Sequence, residues 1–220
     1  MEKHYISTTK TGRYFTLGKL SAKTKHVLFV FHGYAQNADD FIQEFKDFER
    51  EDTFVIAPEG LAHFYWKDLF SNPVTSWMTS LEREKEIEDN NNYLQNIFNQ
   101  LFEGVDISTL DFHFLAFSQS GPIMSRWLDK TNIQPKNLFF YASEIAKETY
   151  ENKINYFFQD AQLFFIYGNE DRLVRKELLN ALKIKFSEKN IIFDIYVFKG
   201  KHRIEKEALQ YIASKIYNNE

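Results

Sequence analysis

Three residues suited to acyl-transfer chemistry occur in a set order along the chain: Ser118, Asp171 and His202. A serine hydroxyl is a poor nucleophile until a neighbouring base takes its proton. The base works best as an imidazole whose other nitrogen is held by a carboxylate, which fixes the tautomer and stabilises the imidazolium. Ser118 sits in Leu115-Ala116-Phe117-Ser118-Gln119-Ser120-Gly121, where the apolar run Phe112 to Phe117 stops abruptly. Small and polar residues then lead into a stretch with Met124, Trp127 and Leu128 at helical spacing. Strand, sharp turn, serine, helix is the context of a nucleophile elbow, which projects a hydroxyl from the carboxyl end of a sheet. The glycines that usually flank such a serine are replaced by Ala116 and Ser120. On this stretch alone a helix-capping serine is the simpler account, and the functional reading draws its weight from the rest of the chain.

Other residues compete for each role. His4 and His26 fall at strand starts, the wrong edge for this chemistry. His113 lies inside a strand, and His32 precedes a tight turn whose own hydrogen bonding gives it a structural task. His63, in an aromatic loop, is the serious rival to His202 as base. For the acid, Glu170 and Glu144 compete with Asp171; Gly168-x-x-Asp171-x-x-Val174 supplies a turn, a carboxylate and a helix-entering hydrophobe, which favours Asp171 although an ordinary helix cap would read the same way. The oxyanion of an acyl-transfer intermediate needs preorganised donors. One is expected from the backbone N–H of Gln119, at the positive end of the elbow helix, and the other from the loop after the Val27–Phe31 strand, at Tyr34.

The elements that must position these groups alternate between two periods. Residues 3–8 and 13–20 read as short, mixed-polarity strands of an antiparallel edge around Lys10-Thr11-Gly12. Val27–Phe31 and Thr53–Ala57 are continuous apolar runs, as expected of strands covered on both faces. Further strands are expected at 112–117, 137–141, 162–167 and 191–198. Between them lie helical patterns: Ala38, Phe41, Ile42, Phe45 and Phe48 with Asn37 as N-cap; Leu94, Ile97, Phe98 and Leu101 behind the charged face 82–89; Leu178, Ala181 and Leu182 within 174–186; and Ile204, Ala208, Tyr211 and Ile212 at the end. Strands alternating with helices imply a mostly parallel, doubly wound sheet. Of only eight glycines, Gly33, Gly60, Gly121, Gly168 and Gly200 stand just past predicted strand ends, where ligands bind in such sheets. Ser118, Asp171 and His202 arrive at that same edge, in the chain order Ser–acid–His used by α/β-hydrolases.

His32-Gly33-Tyr34, Ala57-Pro58-Glu59-Gly60, Phe117-Ser118-Gln119, Gly168-Asn169-Glu170-Asp171-Arg172-Leu173-Val174 and Gly200-Lys201-His202 also fall in the order of one family. Over about residues 26–215 the chain resembles the phospholipase/carboxylesterase family of α/β-hydrolases, related to acyl-protein thioesterases and dienelactone hydrolases. The resemblance implies an α/β-hydrolase fold with a mostly parallel eight-stranded sheet, helices on both faces and an antiparallel N-terminal edge. It also implies a Ser118–Asp171–His202 triad and hydrolysis of carboxylic esters without a cofactor or metal. Ala116 and Ser120 depart from the family at the elbow. A dienelactone hydrolase proper would place cysteine at the nucleophile, which this chain lacks.

Composition narrows the partners. At 220 residues and 44% hydrophobic content the chain fits one domain, residues 1–220, with ample core material. A net charge of −4 gives no basic field for nucleic acid or anionic membrane. The absence of cysteine excludes disulfides, thiolate metal sites and Cys nucleophiles. The N-terminus lacks an apolar signal region, so a soluble, cytoplasmic protein acting on a small-molecule ester is the expectation. The reading is therefore a serine carboxylesterase; a thioesterase with the same triad and a catalytically silent hydrolase fold used for binding are the rivals. Trp66, Trp77 and Met78, in the aromatic stretch 61–81, are the expected apolar wall of the substrate pocket. The connection 142–161 is too short and polar for a lipase-type lid, which predicts action on short to medium acyl chains.

Overall fold

The computed structural model describes residues 1–150, 160–174 and 176–217. A seven-stranded sheet forms its centre, in the order β1-β3-β2-β6-β7-β8-β9. The strands are β1 (Tyr14–Leu17), β2 (His26–Phe31), β3 (Thr53–Pro58), β6 (Asp111–Phe117), β7 (Pro135–Tyr141), β8 (Gln162–Gly168) and β9 (Phe193–Phe198). Only β1 runs antiparallel, paired with β3; every other neighbour is parallel. A separate two-stranded antiparallel ribbon joins β4 (Ala62–Tyr65) to β5 (Pro73–Ser76). The expected eighth strand does not form: residues 3–8 are exposed and irregular. Their side chains bond outward instead, Tyr5 donating to Glu82 at 2.6 Å, so the sheet edge is β1 alone. The aromatic stretch without a clear period contains the β4–β5 ribbon, whose four-residue strands are too short to announce themselves by alternation.

The two-residue period of the strands divides the core. In β2, Val27, Phe29 and Phe31 face one side and Leu28 and Val30 the other, all fully buried. The first side is covered by α2 (Arg83–Phe102) through Leu94, Ile97 and Phe98, and by α3 (Gly121–Leu128) through Met124 and Trp127. α4 (Lys176–Glu188) adds Leu182 and Phe186 to the same side; Leu178, expected on its apolar face, lies outside the residues whose side chains are described. The second side is covered by α1 (Ala38–Phe41), the 3-10 segment Ile42–Phe48 and α5 (Lys206–Tyr217), through Phe41, Phe45, Ala208 and Ile212. Burial on both faces explains why these strands read as unbroken apolar runs. No helix among the described residues is long and apolar enough to cross a membrane. The middle of the connection 142–161, expected to carry no lid helix, lies outside the described residues at 151–159.

Asn37 stands at the expected N-cap of α1 but makes no capping bond; its Nδ2 donates to the Pro73 carbonyl. The buried Glu59 carboxylate takes that role, accepting from the Ala38 N–H at 3.2 Å. Glu59 also pairs with Arg13. A carboxylate at a helix start is favoured by the orphan N–H groups there, so the loop after β3 anchors the helix after β2.

Candidate active site

β6 ends in the residue the sheet was expected to present. Ser118 has φ of +58°, a left-handed conformation that a residue with a Cβ adopts at a cost of about 1–2 kcal/mol. The chain turns through a 3-10 step, Ser118–Ser120, directly into α3. Two other serines hold this strained corner. Ser120, where glycine is usual, is fully buried and shares its hydroxyl proton between the carbonyls of Phe31 and Phe117, each at 2.9 Å. The substitution thereby ties the ends of β2 and β6 together. Ser143, after β7, donates to the Ser118 carbonyl at 2.5 Å and accepts from the Gly121 N–H at 3.0 Å. Nothing in the sequence distinguishes Ser143, because its role exists only once β7 lies beside β6.

His202 and Asp171 come from adjacent strand ends. A Cβ on Gly168 would lie 2.2 Å from the Gly200 carbonyl oxygen, so only glycine lets the β8 and β9 exits run this close. The two loops are then laced together: Asn169 N–H to the Phe198 carbonyl and Glu170 N–H to the Gly200 carbonyl, both 2.9 Å. Tyr141, at the end of β7, braces the histidine loop from the other side. Its hydroxyl donates to the Arg203 carbonyl and accepts from the Glu205 N–H, each at 3.0 Å.

The resulting relay is continuous. His202 Nε2 lies 2.8 Å from Ser118 Oγ, and His202 Nδ1 lies 2.7 Å from Asp171 Oδ2. Since an ionised carboxylate only accepts, Nδ1 carries the ring proton and Nε2 is left to receive one from the serine. The Asp171 side chain is fully buried, with its Oδ1 accepting from the Leu173 N–H at 2.9 Å. Among the rivals, His63 faces Glu59 at 3.3 Å. Glu144 is exposed on the cavity wall and Glu170 is exposed beside Asp171; neither is the group on His202 Nδ1.

Gly33 brings the loop after β2 against this serine: a Cβ there would lie 3.2 Å from Ser118 Cβ. In that loop the Gly33 N–H donates to Gln36 Oε1 and the Ala35 N–H to the Thr75 carbonyl. Of these three successive N–H groups, only that of Tyr34 has no partner among the described residues. Gln119 N–H stands in the first turn of its helix, where no intrahelical carbonyl reaches it. Its side chain is clamped, Oε1 accepting from the Trp77 N–H at 3.2 Å and Nε2 donating to the Met78 carbonyl at 2.9 Å.

That clamp corrects the expected pocket wall. Trp77 is 1% exposed, stacks on His32 at 5.0 Å and donates its indole N–H to the His32 carbonyl. Trp66 is exposed and packs edge-on to Tyr34. Neither these two nor Met78 lines the cavity beside Ser118. The cavity, of about 460 Å³, is walled instead by the 142–150 loop, residues 173–174 and α4. Ile145, Tyr150, Phe165, Leu173 and Leu182 supply its apolar surface, and Ser118, Gln119 and His202 its polar end. Sequence periodicity assigned Leu182 to the core and nothing more; that it also lines the cavity beside residues of the 142–150 loop is a property of the tertiary arrangement.

His32 performs the structural task expected of it. Its Nδ1 donates to the Gly33 carbonyl at 2.7 Å and its Nε2 accepts from the Gly60 N–H at 2.9 Å. Burial pushes its pKa down from 6.5 to about 4. As pH falls below 6.5 the unfolded chain therefore binds a proton that the folded chain refuses, and the stability this group confers is present above pH 6.5 and lost as pH falls to about 4. A shift of that size corresponds to about 3 kcal/mol. Urea unfolding at fixed pH values between 7 and 4 is expected to show this loss, and His32→Gln to flatten that part of the profile. An unchanged slope in the variant would remove His32 as a contributor.

No protein-family model matches the chain, and no curated protein matches it in sequence. Solved structures do. The chain is similar to esterase PE8, with a TM-score of 0.69 at 17% identity over 93% of this chain and 97% of the other. It is also similar to acyl-protein thioesterase 2 of Zea mays (TM-score 0.68, 10% identity, 95% and 99% covered). A carboxylesterase from Mesorhizobium loti gives a TM-score of 0.67 at 16% identity, with 92% and 94% covered. Identities this low speak to architecture, and the coverage is nearly complete on both sides: the chain has the α/β-hydrolase fold.

Proposed function

We propose that this protein is a serine carboxylesterase of the phospholipase/carboxylesterase type, hydrolysing small carboxylic esters through an acyl-enzyme on Ser118. The observation that carries the reading is the unbroken relay Ser118 Oγ–His202 Nε2, His202 Nδ1–Asp171 Oδ2, at 2.8 and 2.7 Å. In this mechanism His202 takes the Ser118 proton as the oxygen attacks the ester carbonyl, and Asp171 stabilises the imidazolium. The N–H groups of Tyr34 and Gln119 meet the oxyanion, acting on charge that exists only in the tetrahedral species. His202 then returns the proton to the departing alcohol. In the second half-reaction it deprotonates the water that releases the acid.

The cavity bears on substrate size. Its volume of about 460 Å³ is toward the lower part of the ligand-pocket range of roughly 300–1,000 Å³, and its apolar side receives the acyl group. Short to medium acyl esters in free solution fit this space. With p-nitrophenyl esters of increasing chain length, kcat/KM is expected to peak at short to medium chains, without a jump once micelles form. A fluorophosphonate should label Ser118, located by mass spectrometry. A maximum at long chains would overturn the size assignment, and labelling of Ser120 or Ser143 instead would overturn the mechanism.

A further inference from the structure

The end of the sheet remote from Ser118 carries a second group of chemically capable side chains. There β2 and β6 start side by side, with His26 opposite Asp111 and Leu28 opposite His113. Residues 111 and 113 of one strand share a face, and His26 in register with Asp111 points to that face too. The two imidazoles are buried, His26 at 2% and His113 at 0% exposure. His26 Nδ1 lies 3.2 Å from His113 Nε2 and 3.8 Å from Asp111 Oδ2. One ligand atom from each of the three residues falls within 4.8 Å of the others.

We propose that His26, His113 and Asp111 form a transition-metal site, of the kind filled by Zn²⁺ or Co²⁺, at the amino-terminal ends of β2 and β6. Ligand atoms about 2.0–2.1 Å from a tetrahedral ion stand roughly 3.4 Å from one another. The two separations measured from His26 bracket that value, and the remaining gap between His113 and Asp111, within 4.8 Å, closes as the partly exposed carboxylate swings toward the rings. Two imidazole nitrogens and one carboxylate oxygen are a borderline donor set, suited to zinc or cobalt rather than to calcium or magnesium. Asp111 is 39% exposed at the side chain, which provides the path for the ion and room for a water as fourth ligand. A hydrogen bond between the two rings accounts for the 3.2 Å contact by itself. It leaves the carboxylate without a part, apart from its pairing with Lys136, whose Nζ lies 2.5 Å from Asp111 Oδ2.

Lys136 is therefore the ion's competitor, and this makes the site testable without disturbing the buried histidines. Tag-free, chelator-stripped protein should take up one equivalent of Zn²⁺ by calorimetry, and Co²⁺ should give the intense visible absorption of a tetrahedral complex. Asp111→Asn should weaken uptake by at least about tenfold, and Lys136→Gln should tighten it by about tenfold. Circular dichroism and Ser118 labelling should be unchanged in both, since the substitutions lie at the far end of the sheet. Absence of uptake at sub-millimolar metal, or uptake that ignores both substitutions, would leave only a hydrogen-bonded histidine pair and overturn the site.

Discussion

Replacing Ser118 by alanine is expected to abolish esterase activity while leaving the fold in place. Among the described residues the Ser118 side chain makes one hydrogen bond, to His202, and the bond from Ser143 that holds the elbow is accepted by its backbone carbonyl. Losing the nucleophile of such a relay costs roughly 10⁴-fold or more in kcat, with a residue of activity from oxyanion stabilisation and binding alone. The φ of +58° supplies a second readout. Alanine keeps the left-handed strain, whereas Ser118→Gly relieves it and should gain about 1 kcal/mol. That gain corresponds to roughly 2–4 °C in Tm for a chain of this size. Two inactive variants that differ in stability in this sense would identify the strain as held for the sake of the hydroxyl's position. Substantial activity in Ser118→Ala, measured with p-nitrophenyl butyrate, would instead place the nucleophile elsewhere.

The relay was legible because each of its members follows a different strand, and strand exits carry local signals. Phe112–Phe117 stops at a polar residue, Gly168 marks the turn before Asp171, and Gly200 marks the turn before His202. The number of strands was less legible. Residues 3–8 have the mixed polarity of an edge strand, but edge pairing depends on tertiary register, and here only Tyr14–Leu17 pairs with β3. The pocket wall was illegible for a different physical reason. An aromatic residue has one signature whether it fills a core or faces a ligand. Trp77 spends its ring on His32 and its N–H on a carbonyl, while Leu182, of unremarkable helical spacing, faces both core and cavity. Ser120 shows the limit of motif matching. It departs from the glycine usual at this position, yet its hydroxyl bonds two strand-end carbonyls, so the elbow uses the extra atom.

Asp171→Asn should be nearly as damaging as loss of the nucleophile, and the hydrogen bonds around it say why. The carboxylate has two tasks: Oδ1 accepts from the Leu173 N–H and Oδ2 from His202 Nδ1. An asparagine of the same shape has one acceptor and one donor end. The Leu173 N–H needs an acceptor, so the amide oxygen stays there and the NH₂ group turns to His202. A donor facing Nδ1 drives the ring proton to Nε2, the nitrogen that must be empty to receive the Ser118 proton. The imidazole stays in position in the wrong tautomer. A loss of about 10⁴-fold in kcat is expected, with KM little altered because Asp171 has no exposed side-chain surface toward substrate. Glu144→Gln provides the matched control. Glu144 lines the cavity but is exposed, so its neutralisation should change kcat/KM by no more than a few fold, in keeping with a surface charge. Both variants should be assayed for kcat on one short-chain ester, with circular dichroism as a check of the fold. If Glu144→Gln proved the more damaging of the two, the orienting acid would belong to the loop after β7, and the relay through Asp171 would be an accident of packing.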